Sequence, residues 1–270
     1  MVAPGIRGGI RSNYGFRLGD CSGRVARNRL VRRLLPALLV ALTLAPAGGA
    51  TTVHPARVML GRSERGHPIV AFRVGNPQGT PVLVFGCIHG TEYAGIAIAR
   101  ALEHVHTGLD LWIVPNLNPD GYASGHRQNG RGVDLNRNWS WDWPGAGGRP
   151  WDTYYAGPRP FSERETRIAR NLILRIRPRA TIWYHQHLDL VWAWGESTRA
   201  GRIYARASGM RFFHHQNLAG TAPGWQNHHL PGTAAFVVEL PAGGLSPRQV
   251  RRHVQAVLAL GARLASSSIP

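Results

Sequence analysis

The sequence predicts a three-layer α/β/α sandwich around a mixed, largely parallel sheet. Apolar runs of strand length alternate with stretches of helical period along most of the 270 residues, the pattern of repeated strand–helix units. Two of the runs, "PVLVFGCI" (81–88) and "LDLWIVPNL" (109–117), are apolar almost throughout, as strands covered on both faces should be. No internal repeat or low-complexity linker interrupts residues 51–270, so they are expected to form one domain.

The elements follow in order. Residues 57–75, "RVMLGRSERGHPIVAFRVG", read as two short strands around a glycine-containing loop. After the strand at 81–88, residues 92–105 carry helical periodicity, and 109–117 is the next buried strand. Residues 119–160 are rich in Gly, Pro, Asn, Asp and Trp and have no period. Loops of that length in compact domains are usually functional. "SERETRIARNLILRIRP" (162–178) reads as a helix, with Ser162 placed as N-cap, Glu165 three residues on in a capping box, and Pro178 closing it. "ATIWYHQHLDLVWAW" (180–194) begins as a buried strand, 199–209 is helical, and "AAFVVEL" (234–240) is a further strand. "SPRQVRRHVQAVLALGARLA" (246–265) is an amphipathic helix with proline at its first position.

The formal charge is +18 and every basic residue is an arginine; lysine is absent. With abundant Ala and Gly, that points to coding bias as one source of the charge. A basic surface favours acidic partners such as cell-wall polymer, nucleic acid or anionic lipid. No arginine cluster is interleaved with aromatics, so nucleic acid is not expected as a partner.

Residues 1–33 hold eight arginines and one acid, Asp20, and "LLPALLVALTLAPAGGA" follows. This is a basic segment, an apolar stretch of about a dozen residues, and small residues resembling an A-x-A cleavage site at Ala45-Pro46-Ala47 or near Ala50. The stretch is short for a membrane span. Residues 1–50 are therefore expected to be a secretory signal peptide with a long basic n-region, and the domain that follows to be secreted or periplasmic, without membrane insertion after cleavage. Removing the eight arginines and Asp20 lowers the charge from +18 to +11 and leaves Cys87 as the single cysteine. No internal disulfide can then form, and Cys87 is expected to be a small buried apolar side chain.

In α/β sheets, sites form beyond the carboxyl ends of the strands. Three predicted strands carry unusual polar residues there: His89 and Glu92 after the first, His185 and His187 in "TIWYHQH", and Glu239 inside "FVVEL". Histidine and carboxylate suit zinc, and catalytic zinc commonly takes three protein ligands, including two His and one Glu, with water in the fourth position. An isolated H-x-x-E is a weak signal, because a core histidine and a glutamate at a helix start give the same pattern.

The long loop adds "NPDG" (118–121) and "RQNGRGVDLNRNW" (127–139). Together with H-G-T-E at 89–92, a His after a buried strand at 185 and "VVELP" at 237–241, the chain resembles the zinc carboxypeptidase family, the carboxypeptidase A type of metallopeptidase, in the right order from about residue 57 onward. The resemblance implies a catalytic domain over 51–270 with one Zn2+ ion held by His89, Glu92 and His185. His187 is the rival third ligand, because alternation puts it on the same strand face as His185. Asp134 would orient His89, as metal-bound histidines commonly require. Arg127 would stabilise an oxyanion, with Arg131 as its competitor. Asn136 and Arg137 would grip a substrate carboxylate, which a guanidinium does with two parallel hydrogen bonds. Glu239 would serve as general base and acid.

Digestive members of the family carry a substrate-contacting tyrosine before the catalytic glutamate, and residues 206–237 here contain none. "LGRSERGHPIVAFRVG", "YHQHLDLV" and "TAPGWQ" are more similar to the bacterial murein peptide amidase branch, whose members cleave the γ-D-glutamyl–diaminopimelate bond. The resemblance thus implies a peptide or murein-peptide substrate. General removal of C-terminal amino acids, N-acyl-amino-acid deacylation and a non-catalytic cell-wall binding module are the alternatives. His214, His215, His228 and His229 are expected to be solvated loop residues, and Trp139, Trp141, Trp143 and Trp151 to pack the long loop.

Overall fold

The computed structural model describes residues 55–266; the expected signal segment lies outside the described residues. In chain order the elements are β1 (Ala56–Arg62), β2 (Pro68–Gly75), β3 (Pro81–Phe85), α1 (Gly95–Leu102), β4 (Asp110–Val114), α2 (Pro119–Ser124), α3 (Arg164–Ile176), β5 (Ala180–Gln186), β6 (Leu190–Ala193), α4 (Thr198–Ser208), β7 (Arg211–His214), α5 (Ala222–His229), β8 (Ala234–Leu240) and α6 (Pro247–Ser266). The eight strands make one sheet in the order β1-β2-β4-β3-β5-β8-β6-β7. The centre, β4-β3-β5-β8, is parallel; β2 joins it antiparallel on one side and β6 antiparallel on the other. The three-layer expectation therefore holds, with the antiparallel pairings confined to the flanks.

Alternation along each strand feeds two cores. Val82, Val84, Ile182 and Tyr184 point to one side, where α1, α4 and α6 cover them through Ile98, Tyr204 and Leu260. Leu83, Phe85 and Trp183 point to the other, where α3 and the long loop close over them through Leu172 and Trp139. The Phe85 and Trp183 rings stack at 3.9 Å on this second side. Trp139 lies fully buried on Trp183, so one tryptophan of the loop is a core residue rather than loop packing. Trp151, by contrast, is exposed.

Several local expectations are corrected. The helix expected from residue 92 begins at Gly95, so Glu92 stands in the turn before it. The long loop contains α2, capped by Asn118 and started by Pro119. The N-cap of α3 is Glu163, with no side-chain cap; Ser162 Oγ instead donates to Glu163 Oε1 and receives Asn138 Nδ2. His228 and His229 sit in the last turn of α5 and His214 ends β7, so these three are not loop residues. Cys87 is buried as expected, and burial pushes its thiol pKa well up, with the Glu92 charge adding to the effect. Among the described residues no helix is long and apolar enough to cross a membrane.

Candidate active site

β3 ends at Phe85, and the chain turns sharply before α1. Glycine makes that turn possible. A Cβ on Gly90 would stand 2.0 Å from the Gly121 carbonyl carbon, so the turn packs backbone to backbone against α2. Asn118 locks the contact. Its Oδ1 accepts from Gly121 N (2.9 Å), while its Nδ2 donates to the carbonyls of Ile88 (3.1 Å) and Gln128 (3.2 Å). His89 and Arg127 are thus carried by neighbouring backbone that one buried amide holds together. Asp120 of the same N-P-D-G accepts from Ser63 Oγ (2.6 Å) and Arg65 N (2.9 Å), which ties the β1–β2 loop to this node.

Glu92 N donates to His89 O (2.9 Å), a single bend that brings both side chains to one side. His185 is the penultimate residue of β5, and Glu239 is its register partner on the adjacent parallel strand β8, so their side chains share a face. His89 Nδ1 lies 2.9 Å from Glu92 Oε1 and His185 Nδ1 lies 2.9 Å from Glu92 Oε2. The potential ligand atoms of these three buried residues all fall within 4.8 Å of one another.

The outer edges of the cluster are held in turn. Asp134 Oδ1 takes His89 Nε2 (2.9 Å) and Asn136 N (2.9 Å), and its Oδ2 takes Arg127 Nε (3.2 Å) and one terminal guanidinium nitrogen (3.1 Å). The other terminal nitrogen of Arg127 donates to Glu92 Oε1 (2.5 Å). The Asn136 side chain reaches His185 Nε2 (3.4 Å) and accepts from Ala222 N (3.0 Å), the start of α5. Burial opposes ionisation of Glu92, but the His89 and His185 imidazoles overcome it and hold the carboxyl far below the usual range. Asp134 behaves alike: burial raises it, and His89, Arg127 and Arg137 outweigh that. Both carboxylates are therefore charged at neutral pH.

Two atoms are left over. His89 Nδ1 is close to Glu92, yet no hydrogen bond is directed at it, and Glu239 Oε2 is buried with no partner. Orphaned buried polar atoms are rare and call for a ligand or water. Two imidazole nitrogens and a carboxylate suit zinc, and the histidine edge opposite Nδ1 already has the carboxylate such ligands use, so these residues fit a zinc ion. Among the described residues one other trio, Glu64, Glu163 and Glu165, also has atoms within 4.8 Å. Its oxygens are engaged by Asn129 Nδ2, Ser162 Oγ and the backbone N–H groups of Glu64 and Arg164.

The cluster opens into a cleft of about 260 Å³ that Arg127, Arg137 and Glu239 also line, with Leu188, Trp192, Leu218 and Val237 as its apolar part. Of the rivals weighed from sequence, Arg131 is exposed and points toward Glu163 (3.9 Å) rather than into the cleft. His187 lies beyond the end of β5, so strand alternation no longer governs it; it reaches the cleft wall but is not part of the cluster. Tyr154 lines the same cleft and was not singled out in the sequence, because its segment has no period and its position depends on backbone contacts.

The family model for zinc carboxypeptidases matches residues 51–222. The chain belongs to the zinc carboxypeptidase family. The carboxypeptidase B of Astacus astacus is 27% identical over 169 residues, 50% of this chain and 56% of that protein. The murein peptide amidase A of Escherichia coli K12 is 31% identical over 147 residues, 48% of this chain and 59% of that protein. The match thus spans somewhat over half the length of these relatives. The fold is that of the carboxypeptidase A of Helicoverpa armigera, with a TM-score of 0.68 at 20% identity over 81% of this chain and 70% of the other. Glu239 stands in the part of this zinc carboxypeptidase domain that follows the family match, brought to the site by β8.

Proposed function

We propose that the chain is a zinc-dependent hydrolase of an amide bond next to a carboxylate-bearing residue, acting on cell-wall peptide of the γ-D-glutamyl–diaminopimelate type after export to the periplasm or cell exterior. The observation that carries the chemistry is the convergence of His89, Glu92 and His185 on one point, with the unpartnered Glu239 Oε2 and two arginines lining the same cleft. The likeness to a murein peptide amidase and the basic net charge support the cell-wall substrate. The export reading rests on the basic and apolar pattern of residues 1–50.

His89, Glu92 and His185 would hold one zinc ion, which when bound supplies Lewis acidity and a water of pKa near ~7. Glu239 takes the proton of the attacking water and later passes it to the leaving amine. Arg127 donates to the oxygen that becomes negative, and Asp134 keeps both Arg127 and His89 oriented while it does so. Arg137 receives the substrate carboxylate. Asn136 is already committed to Ala222 and His185, so here it acts chiefly as a brace for the site.

The test incubates the purified protein with L-Ala-γ-D-Glu-diaminopimelate beside ordinary C-terminal peptides, with and without a chelator. Chelator-sensitive release of diaminopimelate alone supports the cell-wall reading. Release of ordinary C-terminal residues makes the protein a general metallocarboxypeptidase. Cleavage of neither by the zinc-loaded protein moves it to deacylation or binding.

A further inference from the structure

Tyr154 is the one tyrosine among the described residues that lines the cleft. The backbone on both sides of it is fixed. Asp134 N donates to Tyr155 O (2.8 Å), Tyr155 N donates to Asp152 O (3.1 Å), and Gln128 Nε2 donates to the Asp152 (3.1 Å) and Trp151 (3.2 Å) carbonyls. Tyr154 is thereby tied to Asp134 and to the segment that carries Arg127. Its ring centroid stands 5.0 Å from the Arg137 guanidinium carbon and 5.7 Å from that of Arg127, within cation–π reach of both.

A tyrosine that serves packing buries its ring and pairs its hydroxyl. Tyr184 and Tyr204 do so here, fully buried with their hydroxyls 2.8 Å apart. Tyr154 does neither. It is 62% exposed, and its hydroxyl makes no hydrogen bond among the described residues. A side chain flanked by hydrogen-bonded backbone, set against two cations and left with an unused donor suits a ligand that is itself anionic.

We propose that Tyr154 is a substrate-binding residue: its ring covers the Arg127–Arg137 pair, and its hydroxyl donates to the substrate carboxylate that Arg137 receives. The proposal rests on the carboxylate reading of the cleft given above. Covering the guanidinium pair removes competing water, which strengthens the charge-assisted hydrogen bonds to the carboxylate.

Tyr154→Phe keeps the ring contact and loses the donor; Tyr154→Ala loses both. For a substrate with a free carboxylate, KM is expected to rise about tenfold in the first and about thirtyfold or more in the second, with kcat changed less than about threefold, the lower end of the scale of one charge-assisted bond and then of the whole contact. Zinc content and melting temperature stay at the parent values, which a structural role would not allow. The closing experiment measures binding apart from turnover. Zinc-loaded Glu239→Gln is titrated calorimetrically with L-Ala-γ-D-Glu-diaminopimelate and with Ala-Ala-Phe, alone and combined with each Tyr154 change. Saturable binding of either peptide that weakens stepwise from Tyr to Phe to Ala supports the proposal. Equal binding in all three proteins overturns it and leaves the cleft reading intact. No saturable binding of either peptide by Glu239→Gln itself overturns the cleft reading and this proposal with it.

Discussion

Asp134→Ala removes no proposed ligand, yet it should cost the site much of its metal. Asp134 is fully buried and accepts four hydrogen bonds, from His89 Nε2, Asn136 N and two nitrogens of Arg127. Without it His89 loses the contact that fixes its ring and leaves Nδ1 facing Glu92. Loss of such a partner typically lowers metal affinity about 10- to 100-fold, or about 1.4 to 2.7 kcal/mol. Arg127 keeps Glu92 and remains 24% exposed, so the cost to the metal-free fold should fall near the low end of broken buried pairs, about 3 kcal/mol. The assay is a competition titration of zinc against a chromophoric chelator, run beside a thermal melt of the metal-free protein. Asp134→Asn, which keeps shape and one acceptor, should lie between Ala and the parent in both. Zinc affinity within about twofold of the parent in a folded Asp134→Ala protein would refute the role given to Asp134.

Other expectations follow from the same contacts. Glu239→Gln should retain zinc and lose about 10²- to 10⁴-fold in kcat, read by peptide release; near-parent turnover would remove Glu239 from the chemistry. His185→Ala should abolish stoichiometric zinc in metal analysis while His187→Ala keeps it, and the reverse result would exchange their roles. Glu165 is fully buried, and burial pushes its carboxyl up to about 7 from 4.5, so the folded state holds a proton the unfolded state has lost. Stability should therefore fall as pH rises from about 4.5 to about 7, by at most about 3 kcal/mol, in urea titrations across that range. Glu165→Gln should flatten that decline, and an unchanged pH slope would contradict the assignment.

The layers and the parallel centre of the sheet were legible because fully apolar runs such as Val82–Phe85 and Leu111–Val114 leave a strand no exposed face. The residues that meet in the cleft were legible for a related reason: His89, His185 and Glu239 interrupt or end apolar runs where a polar group is costly without a partner. What escaped was set by contacts distant in sequence. β7 is a short, largely exposed edge strand and α5 carries Pro, Gly and two histidines, so neither shows a period. Ser162 fits a capping pattern, but the buried Asn138 takes its hydroxyl and shifts the helix start to Arg164. His187 followed alternation only on the assumption that β5 runs past Gln186, which it does not. Tyr154 reaches the cleft through the hydrogen bond between Asp134 N and Tyr155 O, a pairing no local pattern encodes.

The most direct test of the central claim is an anomalous difference map at the zinc absorption edge from crystals of the zinc-loaded protein. The account predicts one strong peak per chain, bounded by His89 Nδ1, the Glu92 carboxylate and His185 Nδ1. A peak at Glu64, Glu163 and Glu165 instead, or no peak at the histidine cluster, would contradict it.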